Sequence, residues 1–260
     1  VTFTAASSPK SDARPYGEDI GRFGWITADE LRSFLVRLQL GADSHLLDVA
    51  CGSGGPAVFM AQTTGCRVTG VDINASGITN ARQTAEAQGL QTRVNFEHID
   101  ARSRLPFNDE TFDAIISIDA MNHFYDRAEL LANWRRVLRP GGRFLFTDAV
   151  IATGMLTRDE ILARSSSMGV FIFTPAGVHE RFIGAAGFVD LHVEDVTETI
   201  AGVTKRWHDA RDKRRAELLK TEDASEFDAL EKMLAAGHTL ASERRLSRFA
   251  FSAVKPACHG

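Results

Sequence analysis

The sequence predicts an α/β domain built on a doubly wound, parallel sheet, and three observations carry the prediction. Short apolar runs of strand character alternate with helix-period segments from residue 45 to 151. The first run, in LLDVACGSGG (46–55), breaks into a glycine turn and then a helix. A chain of 260 residues with 44% apolar content is long enough to bury one large core. Such sheets bind ligands at the carboxyl ends of their strands, so candidate chemistry is sought there.

The elements follow in order. TADELRSFLVRLQL (27–40) spaces Leu31, Phe34, Leu35 and Leu38 at a helical period, with Thr27 and Glu30 as a capping box. HLLDVA (45–50) is a buried strand, and PAVFMAQTT (56–64) a helix that tolerates Pro56 in its first turn. RVTGVDI (67–73) is a second strand, ASGITNARQTAEAQGL (75–90) a helix ended by Gly89, and RVNFEHIDA (93–101) a third strand. FDAIISIDAM (112–121) and GGRFLFTDAVI (141–151) supply the fourth and fifth strands, with AELLANWRRVLRP (128–140) the helix between them.

Beyond residue 151 the pattern loosens. TRDEILARSSSMGVFIF (157–173) reads as a short helix and loop, TPAGVHERFIGAAGF (174–188) as a helix closed by Gly187, and VDLHVEDV (189–196) as a sixth strand. Two helical stretches then precede the last strand, SRFAFSAVK (247–255). The insertion at 202–246 is a candidate lid over the acceptor, the alternative being a solvated helical pair on one edge. Residues 1–26 form a leader and covering segment, with no function placed on 1–12, and 27–260 form the main domain.

Composition narrows the function. Lys and Arg total 30 against 34 acidic residues, a net charge of −4, which gives no field for nucleic acid or an anionic membrane. Cys51, Cys66 and Cys258 show no paired metal spacing, and an odd unpaired set suggests a reducing, cytoplasmic compartment. No apolar run is long enough to span a bilayer, and the leader lacks the apolar segment of a secretory signal. His45, His98, His179, His192, His208 and His238 share no helical face or ligand spacing, so no metal is expected.

Two ligand classes compete for the glycine turn. Gly52, Gly54 and Ala57 make a G-x-G-x-x-A match to a dinucleotide site, in which a helix N-terminus takes a pyrophosphate and Asp72 the ribose. In the other reading the ligand is S-adenosylmethionine, a phosphate-free cation. Asp48 just ahead of the glycines would repel a pyrophosphate but attract an ammonium and a sulfonium. Asp72 closes the second strand, where two oxygens can accept two ribose hydroxyls. Asp100 and Ala101 end the third, where a carboxylate and a backbone N–H would meet an adenine edge.

DVACGSGG, VTGVDI, HIDA, LPFNDETFDAIIS and LRPGGRFLFTD, in that order between residues 46 and 148, resemble the class I S-adenosylmethionine-dependent methyltransferases. Their flavour is that of the small-molecule branch that includes ubiquinone, tocopherol, sarcosine/dimethylglycine and natural-product sugar O-methyltransferases. The resemblance implies a Rossmann-like sheet of seven strands, the last inserted antiparallel. It implies that Asp48, Ala50, Gly52 and Gly54 cradle the methionyl end, Asp72 and Ile73 the ribose and adenine face, and Asp100 with Ala101 the adenine edge. Ile118 meets the methionine or ribose, while Tyr16 and Trp25 are candidate covers. Ala50 departs from a common glycine and bars torsions open only to glycine.

Methyl transfer is an in-line displacement on an already activated donor, so a base is needed only when the nucleophile arrives protonated. His123, in SIDAMNHFYD after the fourth strand, stands where the acceptor atom would sit. By resemblance to the sugar O-methyltransferases it pairs with Asp148 as a general base; the alternative is that it caps a helix or contacts the cofactor. Asp119, Met121, Asn122 and Phe124 border the acceptor, and Met168, Phe171, Phe173, Trp207 and Met233 are pocket or core. The expected partner is a small molecule methylated on O or N, with a homodimer left open. An NAD(P)-dependent oxidoreductase and a non-catalytic S-adenosylmethionine-binding scaffold are the alternatives.

Overall fold

The computed structural model describes residues 18, 20–21, 24–165 and 172–257, so Tyr16, Met168, Phe171 and Cys258 lie outside the described residues. The expected alternation is present. α1 (Ala28–Leu38) leads into β1 (His45–Val49), α2 (Gly55–Thr64), β2 (Arg67–Asp72), α3 (Ala75–Ala87), β3 (Val94–His98), β4 (Phe112–Ser117), α4 (Arg127–Val137) and β5 (Leu138–Ala152). Then come α5 (Arg158–Ser165), the two-residue β6 (Thr174–Pro175), α6 (Val178–Ala185), β7 (Val189–Asp195), α7 (Thr197–Lys213), α8 (Arg215–Leu218), α9 (Ala224–Ser242) and β8 (Leu246–Val254).

Local chemistry sets several boundaries. Asn74 accepts from the N–H groups of Ser76 and Gly77 to open α3, and Asp126 accepts from Glu129 to open α4. At α1 only half of the expected capping box forms. Thr27 Oγ1 accepts from Glu30 N–H at 3.2 Å, but the Glu30 carboxylate turns inward to Arg248. A charge-assisted bond to a buried guanidinium outweighs a return bond to a half-exposed cap. The expected helix at 128–140 stops at Val137, because Leu138 pairs with Phe112 and Pro140 cannot continue the helical ladder.

The sheet order is β3-β2-β1-β4-β5-β8-β7, with β6 paired to β5. β1 to β5 run parallel, and β8 lies antiparallel between β5 and β7. This is the expected inserted last strand, and β6 adds a short strand that the sequence reading missed. Winding reverses between β1 and β4, which opens a crevice above their carboxyl ends.

Alternate strand residues fill two layers, so these strands read as unbroken apolar runs. Leu46, Val68, Ile116 and Leu145 pack toward α1, α2 and α3. Leu47, Val71, Ile115, Phe144 and Phe146 pack toward Trp134 of α4 and Ile183 of α6. The C-terminal insertion begins earlier than expected, at Thr197. With Ala149 of β5 it buries Trp25, the candidate cover, among Ile200, Val203, Met233 and Leu234, so Trp25 packs on α7 and α9. Among the described residues no helix is long and apolar enough to cross a membrane.

Candidate active site

β1 carries Asp48 into the middle of the sheet, opposite Gly70 of β2 and Ile116 of β4, where its side chain is 2% exposed. Its Oδ2 has no hydrogen-bond partner. Burial, and then the negative charge of Asp72, push its pKa up to about 8. Two neighbouring acids suit a positively charged ligand and oppose a pyrophosphate.

The turn after β1 is shaped by backbone torsions. Ala50, Gly52 and Gly54 take φ of 61°, 57° and 77°. Ala50 therefore enters the left-handed region that its side chain was expected to discourage, at a cost of roughly 1–2 kcal/mol. Asp72 braces the same turn: Oδ2 accepts from Gly52 N–H and Oδ1 from Asn74 N–H, both at 2.8 Å. Gly55 is needed for close approach, since a Cβ there would lie 2.1 Å from the Gly21 carbonyl oxygen and 2.2 Å from that of Ile20. The segment before α1 is thus seated against the N-terminus of α2, beside the cradle.

The other expected contacts follow the carboxyl ends of β2, β3 and β4. Ile73 is exposed at 53%, an apolar surface next to Asp72. Ile118 is partly buried against the α1–α3 layer, and Ala101 is buried in the opposite layer. Asp100 follows β3, where its carboxylate takes a bidentate bond from Arg102 at 2.7 and 2.9 Å. Bonding to Arg102 holds the Asp100 pKa below the usual carboxylate value. An adenine amine would therefore share this carboxylate with Arg102.

Past β4 the chain turns through Asp119, at φ 53°, into a 3-10 turn, Met121–His123. The His123 ring opens to solvent, with the Asn122 amide 3.3 Å from Nε2. Burial lowers its pKa, while Asp148 and then Asp72 pull it back up. His123 thus stands within electrostatic reach of the acids that end β2 and lie late in β5.

The hydrogen bonds of Asp148, the partner expected for His123, run to other groups among the described residues. Asp148 Oδ2 accepts from His179 Nε2 at 2.8 Å and from the Thr174 hydroxyl at 3.4 Å, and Oδ1 accepts from Val150 N–H at 3.0 Å. Asp148 is buried facing α6, which puts His179 in line with its oxygens.

Asp119 lies on the other side of the sheet end, in a second polar cluster. Arg248 of β8 donates from Nε to Asp119 Oδ1 at 2.8 Å and from Nη1 to Glu30 Oε1 at 2.7 Å. The Thr147 hydroxyl donates to the same Asp119 oxygen at 2.8 Å. Arg164 of α5 is buried nearby, with its guanidinium 5.3 Å from the Trp25 ring centroid. Burial lowers the Arg164 pKa to about 10 against the pull of Asp119. Sequence reasoning assigned no site role to His179, Arg164 or Arg248, and gave Glu30 only a part in the α1 capping box. Their partners are far apart in the chain, and no local spacing encodes them.

Residues 47–146 match the family described as methyltransferase domain. The chain is 32% identical over 163 residues to the 27-O-demethylrifamycin SV methyltransferase of Amycolatopsis mediterranei, covering 62% of this chain and 60% of that protein. It superposes on Haemonchus contortus phosphoethanolamine N-methyltransferase 2, solved with phosphomonomethylethanolamine and S-adenosylhomocysteine. The TM-score is 0.78 at 22% identity, covering 88% of this chain and 53% of that one. This chain carries a methyltransferase domain over residues 47–146 and is similar to S-adenosylmethionine-dependent methyltransferases. It also superposes on the [4+2]-cyclase SpnF with a TM-score of 0.72 at 25% identity, covering 93% of this chain and 86% of that one. Matches to the curated relatives span from 41% to 64% of their lengths.

With a methyltransferase domain at residues 47–146, the chain has residues that fit the methyl donor. Asp48, whose Oδ2 has no hydrogen-bond partner among the described residues, supplies a carboxyl group that a bound cation would ionise, and the Ala50–Gly54 turn supplies the cradle. Asp72 offers carboxylate oxygens at the rim and Ile73 an exposed apolar face beside them.

Proposed function

We propose that this protein transfers a methyl group from S-adenosylmethionine to an oxygen or nitrogen of a small molecule, with His123 as general base for a protonated acceptor. When bound, the donor supplies an electrophilic methyl on a sulfonium. Asp48 and the turn hold its amino acid end, Asp72 and Ile73 its ribose and adenine, with Asp100 and Ala101 at the far edge. The acceptor lies over the 3-10 turn, where His123 takes the nucleophile's proton as the bond to carbon forms.

The observation that carries this reading is the place of His123 in the 3-10 turn that follows β4, past the carboxyl end of the strand paired with β1. A general base must lie within hydrogen-bond reach of the nucleophile's proton. It must also stay largely neutral near pH 7, and burial favours that state.

The test combines binding and turnover. Asp72→Ala is expected to weaken S-adenosylhomocysteine binding by about 100-fold or more, because it removes both a ligand contact and the brace on Gly52. His123→Ala should change that affinity little and lower transfer to hydroxyl acceptors by roughly 100-fold or more. The checks are calorimetry and label transfer across a panel of hydroxyl- and amine-bearing acceptors. Unchanged turnover in His123→Ala on a hydroxyl acceptor would remove the base role. Cofactor binding with no transfer to any acceptor would favour a non-methylating use of the fold.

A further inference from the structure

Asp119 stands between β4, which ends at Ser117, and the 3-10 turn Met121–His123. Its φ of 53° lies in the left-handed region, which residues with a side chain seldom adopt unless their surroundings hold them there. Here the holding groups come from β5 and β8. Asp119 N–H donates to Thr147 Oγ1 at 2.9 Å, and Arg248 Nη2 donates to the same oxygen at 3.4 Å. Neither group can accept, so the single hydroxyl proton is left for Asp119 Oδ1, at 2.8 Å. Arg248 Nε donates to that oxygen as well, at 2.8 Å.

The anchors are fixed in turn. Thr147 and Arg248 are both 0% exposed. Thr147 lies opposite Ala250 in the β5–β8 ladder, and Arg248 N–H donates to Thr197 Oγ1 at 3.1 Å. Arg248 Nη1 also donates to Glu30 of α1, at 2.7 Å. Past Asp119 the chain keeps little freedom. His123 N–H donates to the Ala120 carbonyl at 3.0 Å, and Phe124 N–H to that of Met121 at 3.2 Å. The direction of the turn is therefore set where Asp119 is held.

We propose that Thr147 and Arg248 are positioning residues for the acceptor turn: they lock Asp119 in its left-handed conformation and so set the direction in which Met121–His123 leaves β4. The kinetic consequence rests on His123 serving as the base, whereas the placement of the turn does not. A base displaced by about 1 Å from the proton it takes can lose roughly 100-fold in rate. A turn free to swing at Asp119 would present His123 in many orientations and in the productive one only part of the time.

The test compares Thr147→Val, which keeps the shape of the side chain and loses its oxygen, with Thr147→Ser, which keeps the oxygen. Hydrogen exchange is read in the cofactor-free protein at the amides of His123 and Phe124, against those of Leu47 and Ile115 in the centre of the sheet. Thr147→Val is expected to speed exchange at the two turn amides by roughly tenfold or more relative to the sheet amides, and Thr147→Ser to stay near wild type. A merely structural role predicts equal acceleration at all four amides, and that result would overturn the proposal, as would unchanged exchange at the turn. Should Thr147→Val fail to fold, Arg248→Lys, which keeps a charge and loses the fork, takes its place with the same readout and the same outcomes. In turnover, Thr147→Val should lower kcat on a hydroxyl acceptor by roughly tenfold or more, with S-adenosylhomocysteine affinity within about twofold of wild type. A loosened turn combined with full turnover in His123→Ala would support the positioning while removing the base role.

Discussion

Asp48 carries a large electrostatic cost in the cofactor-free protein, and that cost makes a prediction with a definite sign. Its pKa in the fold is about 8, against an ordinary 3.8. Between those values the folded protein holds a proton that the unfolded chain has lost, so stability falls as pH rises through the window. The slope is at most about 1.4 kcal/mol per pH unit, and less where water reaches the pair. Asp48→Asn mimics the protonated acid and should flatten this slope. The variant is expected to match wild type near about pH 4, exceed it above about pH 8, and bind S-adenosylmethionine more weakly. Denaturant unfolding at several pH values without cofactor checks the first two statements, and calorimetry the third. A wild-type profile that is flat between those limits would remove this account of Asp48. The acids at 48 and 72 were legible in the sequence because a strand followed by a glycine turn places its last residues at the crevice. His179 was not, because its bond to Asp148 joins residues 31 apart and depends on how α6 meets β5.

At the scale of elements, Arg248 ties α1, β4 and β8 together through Glu30 and Asp119. The side chain of Arg248 is 0% exposed, and those of its two partners are 8% and 7% exposed. Removing only the guanidinium leaves two buried acids without their cation, so Arg248→Met should cost about 3–5 kcal/mol in denaturant unfolding. Adding Glu30→Gln and Asp119→Asn should return part of that loss, since neutral amides are cheaper to bury than unpaired carboxylates. A triple variant no more stable than Arg248→Met would show that the cost is one of packing. The sequence placed α1 and its Thr27 cap, but not the inward turn of Glu30, because its partner lies 218 residues away. Close packing at the cradle offers a second test. Gly55→Ala would force a methyl group against the carbonyls of Ile20 and Gly21, and should cost about 1–3 kcal/mol and loosen the segment before α1. Hydrogen exchange in residues 20–24 and cofactor affinity would both report the change.

At the scale of the whole molecule, the sheet order explains what was legible and what was not. Alternating strands and helices from residue 45 to 151 encode the winding that reverses at β1 and β4, so the donor crevice could be located from local patterns. The placement of α7 and α9 comes from long-range packing around Trp25 and therefore leaves little mark on spacing. The crevice also predicts how the whole fold responds to ligands. A ligand that binds only the native state stabilises it by RT ln(1 + [L]/Kd), about 2.7 kcal/mol at 100 times Kd. S-adenosylhomocysteine retains the ammonium for Asp48 and the ribose for Asp72, so it should raise the melting temperature by several degrees at that concentration. NADH presents a pyrophosphate to the same buried acid and should have little effect. Because S-adenosylmethionine adds the sulfonium charge, its advantage over the homocysteine product should grow as pH rises through about 8 and Asp48 ionises. Thermal melts with the three ligands across that range decide the matter: stabilisation by NADH alone would overturn the methyl-donor assignment, and a constant ratio between the other two would detach Asp48 from the sulfonium.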